Sequence, residues 1–227
     1  MSTYIELDML SSNLASRRPR SNHLPANARS RRTRTALLAA ARSLLEERGF
    51  EALTMAAVAE RAGVSRAAVY LHFASRGELI GAVFEYVRET EGLDVSVQPV
   101  HAAPSAIAAL HAWARLEADY HARILGVARA IEHIGRDDPD AAVWRQRIEA
   151  YQLGLCQLVA HRLVDERCLA PGWTSETATD MLWALMSTEP LERLLRDRGW
   201  SPEEYAERLS RLLRATFVTP SESERAG

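Results

Sequence analysis

The most chemically specific residues of the sequence stand around a short turn, Ala62-Gly63-Val64-Ser65, and in the helical segment that follows it. Gly63 can adopt the positive φ that ends one helix, and Ser65 can cap the next one. Arg66 would then stand at the exposed start of the second helix, where a guanidinium can donate two parallel hydrogen bonds to a guanine edge. This spacing predicts a helix-turn-helix that lies across a DNA groove, although corners of this kind also occur in many all-α folds.

The charge of the chain is unevenly divided. The 227 residues have a net charge of −2, yet residues 1–88 contain 13 Arg and 8 acidic residues, whereas residues 89–227 contain 15 Arg and 22 acidic residues. This division fits a basic head that binds nucleic acid and an acidic body that stays away from it. A solvated Arg-rich tail fits the same numbers, so charge alone leaves both interpretations open. The chain contains no Lys, which excludes mechanisms that need a catalytic lysine.

Helical periodicity extends from Arg31 almost to the end of the chain, and no alternating run is long enough to predict a strand. The sequence therefore predicts an all-α fold of about nine helices, in which three compact helices with the helix-turn-helix precede a body of longer helices. We expect Gly92 to Pro104 to form a loop. The predicted helices cover about residues 31–48, 55–62, 66–71, 76–91, 105–120, 123–134, 138–167, 175–196 and 201–218. The residues expected to cap or open these helices are Thr54, Ser65, Ser75, Ser105, Asp138, Ser175 and Ser201.

Changes in composition along the chain predict four segments. Residues 1–30 are expected to form a disordered Arg-rich extension, residues 31–76 the helix-turn-helix domain, residues 77–218 the helical body, and residues 219–227 a disordered tail. The helix that starts at Arg76 crosses the boundary between the two folded segments. We therefore expect these segments to be rigidly coupled, without a flexible linker.

The stretch from Arg32 to Ile80 closely resembles the amino-terminal DNA-binding domain of the TetR family of transcriptional regulators. The resemblance implies a homodimer in which the head binds DNA and residues 77–218 form a helical ligand-binding and dimerisation domain for a small-molecule effector. It also implies a tendency to repress transcription from a palindromic operator. The matching elements are Arg48-Gly49-Phe50, Leu53-Thr54, Val58-Ala59, Ala62-Gly63-Val64-Ser65, Val69-Tyr70, His72-Phe73, Ser75-Arg76 and Glu78-Leu79-Ile80.

Matching positions within this resemblance imply the DNA contacts. Arg66 is expected to read a base, Tyr70 and His72 to contact phosphates, and Arg76 to contact the DNA backbone at a position that is usually Lys. Leu71 and Ala68 replace residues that are often polar, which leaves more of the affinity to arginines. The implied DNA-binding set is Thr54, Ser65, Arg66, Ala67, Ala68, Tyr70, His72 and Arg76, with Arg32 and Arg34 before the turn.

Two of these assignments have plain structural alternatives. Thr54 is as well explained as a helix cap as by a phosphate contact, and the ring of Tyr70 can serve mainly for packing. Arg32 and Arg34, together with Arg29 and Arg31, are hypothesised to lie along a DNA groove or backbone; a solvated tail is the alternative.

The body offers candidates for an effector pocket and for a dimer interface. Aromatic residues with a few polar neighbours would suit a small amphipathic or aromatic ligand, although such a stripe is more often protein core. The candidate ligand-binding residues are Trp113, Glu117, Tyr120, His121, Trp144 and Tyr151. The candidate dimer contacts on the last helices are Leu182, Leu185, Met186, Leu209 and Leu212. Some of these side chains must instead pack within their own subunit.

The remaining observations narrow the class of protein. Cys156 and Cys168 are 12 positions apart in a stretch predicted to be helical, which is too far to form a disulfide, so we expect reduced thiols. No apolar run is long enough to span a membrane, and we therefore expect a cytoplasmic location. The five body histidines lack metal-ligand spacing, and no cofactor is predicted. The alternatives to a ligand-responsive regulator are a small all-α enzyme, for which no base or oxyanion motif is found, and a nonspecific architectural DNA-binding protein.

Overall fold

The computed structural model describes residues 28–134 and 138–220, and in these ranges the fold is all-α, as predicted. Eleven α-helices are present, and the only β pairing among the described residues is an isolated bridge between Leu169 and Val218. The helices are α1 Ala28–Arg48, α2 Met55–Arg61, α3 Arg66–Tyr70, α4 Arg76–Thr90, α5 Leu93–His101, α6 Ala106–Arg123, α7 Leu125–Glu132, α8 Pro139–Asp165, α9 Ser175–Ala184, α10 Thr188–Glu192 and α11 Pro202–Phe217.

Most helix starts follow the capping residues of the sequence. Each cap side chain accepts a hydrogen bond from a backbone N–H in the first turn, which satisfies one of the orphan donors there. The caps confirmed in this way are Thr54, Ser65, Ser75, Ser105, Asp138 and Ser201. The prediction of Ser175 as a cap is wrong. Thr174 caps α9 instead, because it forms a reciprocal capping box with Thr177.

The loop predicted from Gly92 to Pro104 is wrong over most of its length, since Leu93–His101 form α5. Gly92 adopts a φ of +67°, which turns the chain out of α4 and directly into the next helix. Val97 and Val100 are buried. Pro99 lies near the carboxyl end of α5. A proline there removes one N–H without preventing the turns before it.

The single helix predicted over residues 175–196 is also wrong, because the chain breaks between Ala184 and Thr188. Pro190 has no N–H to donate to the carbonyl of Met186, and its ring would clash with that turn. The chain therefore starts a new helix, α10, in whose first turn Pro190 is tolerated, and it continues as a π-helical turn over Arg193–Asp197. These two differences raise the number of helices from about nine to eleven.

The first helix begins at Ala28, three residues before the predicted start at Arg31. The rest of the predicted extension, residues 1–27, and the tail from residue 221 lie outside the described residues. The division into a helix-turn-helix domain over residues 31–76 and a body over residues 77–218 stays a prediction. None of the described helices is long and apolar enough to cross a membrane.

The head, α1–α3, and the body, α4–α11, share a continuous core. Within the head, Leu37, Val58 and Phe73 are fully buried. In the body, α6 is central and packs against α5, α8 and α11. Head and body are joined where α1 packs on α4 and on α7, and α4 in turn packs on α8. Both α7 and α8 are therefore in position to influence the head.

Candidate DNA interface and effector cavity

The recognition helix α3 is short and is anchored by one side chain. The hydroxyl of Ser65 accepts a hydrogen bond from the N–H of Ala68 at 3.2 Å, and Gly63 adopts a φ of +66° in the preceding turn. Val69 is fully buried beneath the helix, whereas Arg66 and Ala67 are exposed. The turn and the anchor together direct the first residues of α3 outward, as base readout would require.

Arg66 is held by its neighbour on the same helix. Its Nη2 lies 3.3 Å from the hydroxyl oxygen of Tyr70, and its Cζ lies 5.6 Å from the centre of the Tyr70 ring. Within residues 28–134 and 138–220, no carboxylate forms an ion pair with this guanidinium. Arg66 therefore presents its charge to solvent on a partly ordered side chain, which favours contact with a nucleic acid.

Leu71, which directly follows α3, is the functional candidate that sequence reasoning missed. Its side chain is 80% exposed, more than any other large apolar residue of the described chain. The signal was present in the sequence, because Leu71 replaces a residue that is often polar in the resembling family. An exposed aliphatic group at this place can contact the methyl group of a thymine.

The other predicted DNA contacts lie on α1, at the start of α2 and after α3. Thr54 is exposed and caps α2 through the N–H of Ala57 at 3.1 Å. The guanidinium of Arg34 lies over the ring of Phe73 at 4.7 Å, next to half-buried His72. Burial, followed by the charge of Arg34, lowers the pKa of His72 below its usual value. Arg32 is exposed on α1.

Arg76 differs from all of these residues because its guanidinium is already occupied. Nε donates to the carbonyl of Leu53 and Nη2 to that of Phe50, both at 2.8 Å. Nη1 and Nη2 form a fork with the two carboxylate oxygens of Asp138, at 2.8 and 2.7 Å. A phosphate contact would have to displace these partners.

A cavity of about 450 Å³ lies in the body between helices α4 to α10. Four of the six predicted ligand-binding residues line it, namely Tyr120, His121, Trp144 and Tyr151. The other two, Trp113 and Glu117, are buried on α6 but are not part of its wall. The wall is mainly apolar, so the cavity suits a molecule with a largely apolar body.

A buried ion pair lies at the α6 wall of the cavity. Nδ1 of His121 is 3.0 Å from Oε2 of Glu117, without the alignment of a good hydrogen bond. Burial alone would lower the pKa of His121, but the charges of Glu117 and Glu132 outweigh it and raise the pKa. The carboxylate of Glu132 also accepts hydrogen bonds from the N–H and the hydroxyl of Thr188.

Several hydrogen-bond donors line the cavity. Burial raises the pKa of Tyr120 and of Tyr151 to about 12, so both phenols stay protonated and can donate. Arg145, which sequence reasoning missed, also lines the wall, and its buried Nε has no hydrogen-bond partner in the described part of the chain. These groups can orient a polar oxygen of an otherwise apolar ligand.

The predicted dimer contacts divide into two groups. Leu182, Met186 and Leu209 are buried within their own subunit, whereas Leu185 is half-buried and Leu212 is 56% exposed. Two further exposed apolar side chains, Met181 and Trp183, lie on α9 and were missed by sequence reasoning. The exposed group, rather than the whole predicted stripe, is available to a second subunit.

The described residues contain no cluster of three or more His, Cys, Asp or Glu side chains that could hold a metal ion. Both cysteines are free; Cys156 is buried and Cys168 half-buried. Burial raises the pKa of the Cys156 thiol well above its usual range, and the pKa of Cys168 is raised for the same reason. Neither thiol is activated as a nucleophile would be.

The sequence of the head is similar to those of known bacterial regulatory proteins. Residues 37–83 match the family model of bacterial regulatory proteins, tetR family. Over 58 residues the chain is 40% identical to the HTH-type transcriptional regulator TtgR of Pseudomonas putida. That match covers 26% of this chain and 28% of TtgR, so it spans less than a third of the relative.

Solved structures extend the likeness to the body. NalD, the secondary repressor of the MexAB-OprM multidrug efflux pump in Pseudomonas aeruginosa, superposes with a TM-score of 0.66 at 23% identity, covering 85% of this chain and 99% of NalD. The transcriptional regulator FadR from Bacillus subtilis, in complex with stearoyl-CoA, has a TM-score of 0.62 at 14% identity, covering 79% and 96%. Identities this low show a shared fold. The likeness to bacterial regulatory proteins of the tetR family therefore rests on residues 37–83 of the head, and the chain as a whole shares the fold of these solved regulators.

Proposed function

We propose that the protein is a homodimeric transcriptional repressor that binds a palindromic operator and is released from it by a small amphipathic or aromatic ligand. The observation that carries the proposal is the exposed face of α3, where Arg66 points to solvent without a carboxylate partner in the described ranges. A polyanion with guanine edges in a groove is the partner that this face fits best.

The DNA contacts divide by chemistry. Arg66 reads guanine, while Ala67 and Leu71 offer apolar contacts to thymine methyl groups. Phosphate contacts come from residues around that face, which position the helix without reading sequence. These positioning residues are Thr54, Ser65, Ala68, Tyr70, His72, Arg32 and Arg34.

Dimerisation is supported by the exposed apolar side chains of α9 and α11. Leu212 and Met181 are 56% and 43% exposed, which is unfavourable in water and is relieved when a two-fold mate covers them. A two-fold dimer would present its two recognition helices about 34–36 Å apart, one turn of DNA, and so would read a palindrome.

Effector binding is supported by the apolar cavity and its donors. The structural neighbour FadR is found in complex with stearoyl-CoA, and NalD is a repressor of a multidrug efflux pump, so a protein of related fold binds an amphipathic compound. A ligand in this cavity would favour a dimer whose heads are spaced wrongly for the operator, and DNA affinity would fall by the coupling free energy.

Binding-site selection with the purified full chain tests the proposal. We expect an enriched palindrome that the protein binds as a dimer, and we expect the fluorescent amphiphile 8-anilinonaphthalene-1-sulfonate to bind the cavity and weaken the complex. Binding without sequence preference would instead support an architectural protein. Selection that enriches no DNA would overturn the proposal and reopen the enzyme alternative.

A further inference from the structure

We propose that Arg76 is a positioning residue that fixes the angle between the helix-turn-helix and the cavity helix α8, and that it does not contact a DNA phosphate. The inference rests on the proposed function, because it concerns how the two heads of a DNA-bound dimer are held. It also departs from the family resemblance, which implies a backbone contact at this position.

The contacts of Arg76 lie on both sides of the junction, by which we mean the contact of Phe50, Leu53 and the start of α4 with the start of α8. Its hydrogen bonds to the carbonyls of Phe50 and Leu53 hold the segment that leads into α2, the first helix of the helix-turn-helix. Its fork with Asp138 holds the residue that begins α8. One planar guanidinium therefore connects the entry to the DNA-binding motif with the start of a helix 62 positions away.

Asp138 is itself fixed in place. Its Oδ1 accepts a hydrogen bond from the N–H of Ala141 at 3.1 Å and caps α8. The same helix carries Trp144 and Tyr151, which line the cavity. A displacement of the first turn of α8 would consequently move the carboxylate to which Arg76 is bound.

Aromatic packing beside the fork provides a second line of contact. The ring centres of Phe50 and Phe84 are 5.9 Å apart, and those of Phe84 and Trp144 are 5.6 Å apart. At Gly81, which has no side chain, α4 approaches the Trp144 ring so closely that a Cβ would overlap it. Since packed side chains transmit displacement, the head and α8 are expected to move together at this point.

Charge and burial at the junction disfavour a phosphate. The side chains of Arg76 and Asp138 are only 23% and 20% exposed, and Oδ2 of Asp140 lies 3.4 Å from the same guanidinium. A phosphate approaching Arg76 would meet two carboxylates around one cation. Lysine could not replace the fork, because its ammonium lacks the planar set of donors.

Half-site spacing is the property that reports the angle of the heads. The experiment compares the Kd of the full-length dimer for the operator recovered by selection with its Kd for the same operator lengthened by one central base pair. The variants are Asp138→Asn, which keeps a capping side chain but loses the charge, and Arg76→Lys, which keeps the charge but loses the fork. Asp165→Asn, at an exposed acidic residue of the carboxyl end of α8, is the matched control.

We expect wild type and Asp165→Asn to discriminate against the lengthened operator by the same factor. Asp138→Asn and Arg76→Lys should lose on the order of tenfold of this discrimination, and the double variant should lose no more than either one, as expected of two residues in one contact. Circular dichroism at the assay temperature checks that each variant is folded. If Arg76→Lys is unfolded, the discrimination measured for Asp138→Asn is the test.

Two results would overturn the positioning role. One is unchanged discrimination in folded Asp138→Asn. The other is tighter DNA binding by Asp138→Asn with a salt slope steeper by about 0.9, which is the signature of an arginine released to neutralise a phosphate. If the wild-type protein selects no operator at all, the proposed function itself fails, and that outcome is distinct from both.

Discussion

The exposed face of α3 and the junction of α4 with α8 contain the two arginines to which family resemblance gives a similar role. Arg66 is exposed and, among the described residues, its guanidinium contacts only Tyr70 on its own helix, whereas Arg76 is held by four oxygens from Phe50, Leu53 and Asp138. The two residues are 10 positions apart in the sequence. The difference between them comes from the start of α8, which brings the carboxylates of Asp138 and Asp140 to Arg76 and leaves Arg66 exposed.

The comparison teaches that a basic residue near a DNA-binding motif is assigned by its partners rather than by its place in the motif. An arginine without a carboxylate keeps its donors for nucleic acid, while one in a fork with Asp138 serves the arrangement of helices. The predictions that follow test this distinction in order of decreasing effect.

Replacement of Arg66 by Ala should have the largest effect on DNA binding. Loss of a bidentate contact to guanine costs about 1–3 kcal/mol, or roughly 10–100-fold in affinity, and should relax specificity at one base pair of each half-site. Kd measurements on operators with each base at that position provide the test. Arg115→Ala, which removes one exposed charge from α6, is the control; an equal loss there would mean that only net charge matters.

Replacement of Gly81 by Ala should have the largest effect on the stability of the junction. The new methyl group would overlap the ring of Trp144, and such overpacking costs about 1–3 kcal/mol. Urea unfolding followed by circular dichroism measures the change. Gly77→Ala is the matched control, because its Cβ would stand 3.1 Å from an oxygen of the Asp140 side chain, which can move. Similar stability losses in both variants would contradict the close approach at Gly81.

Replacement of Asp138 by Asn should lower the free energy of unfolding by about 1–2 kcal/mol at neutral pH, since it weakens charge-assisted hydrogen bonds. The hydrogen bond from Arg76 is the main cause that lowers the pKa of Asp138. A lowered pKa means that the ionised carboxylate stabilises the fold above its unfolded value of about 3.9, and that this contribution disappears as the pH falls through the folded pKa.

The stability difference between wild type and Asp138→Asn should therefore be full near pH 7 and should close as the pH drops below about 4. Denaturant titrations across this range measure it, with Asp165→Asn as the reference variant. A difference that persists undiminished in acid would show that the Asp138 charge does not stabilise the junction.

Replacement of His121 should have the smallest effect on stability, and only at pH values above about 6.5. Burial lowers the pKa of His121, but the charges of Glu117 and Glu132 outweigh burial, so the pKa is raised overall. The stabilisation is therefore fully present below the unfolded pKa of about 6.5 and is lost as the pH rises through the folded pKa. His121→Gln should remove this loss in a pH series of thermal unfolding, whereas His111→Gln on the exposed side of α6 should retain it.

Much of the head could be predicted from sequence because local interactions determine it. Thr54 and Ser65 cap the helices they precede, and Gly63 has the positive φ that the turn requires. These features depend on residues three or four positions apart, so a linear pattern records them. The exposure of Leu71, by contrast, was visible only as a departure from a family pattern.

The body was harder to predict because its elements depend on contacts between distant residues. The segment from Leu93 to His101 forms a helix that packs against α6, where the sequence predicted a loop. The cavity joins four of the predicted ligand residues with Arg145, a residue that no local pattern singles out.

The sequence by itself determined the all-α class, the helix-turn-helix and its caps, since these follow from periodicity and from hydrogen bonds within one turn of helix. Only the tertiary structure decided the role of Arg76, the extent of the cavity and the group of apolar side chains left exposed on α9 and α11. The physical reason is the range of the interactions. A cap needs a partner three residues away, whereas the fork with Asp138 needs one 62 residues away, and the position of that partner is set by the packing of the whole body.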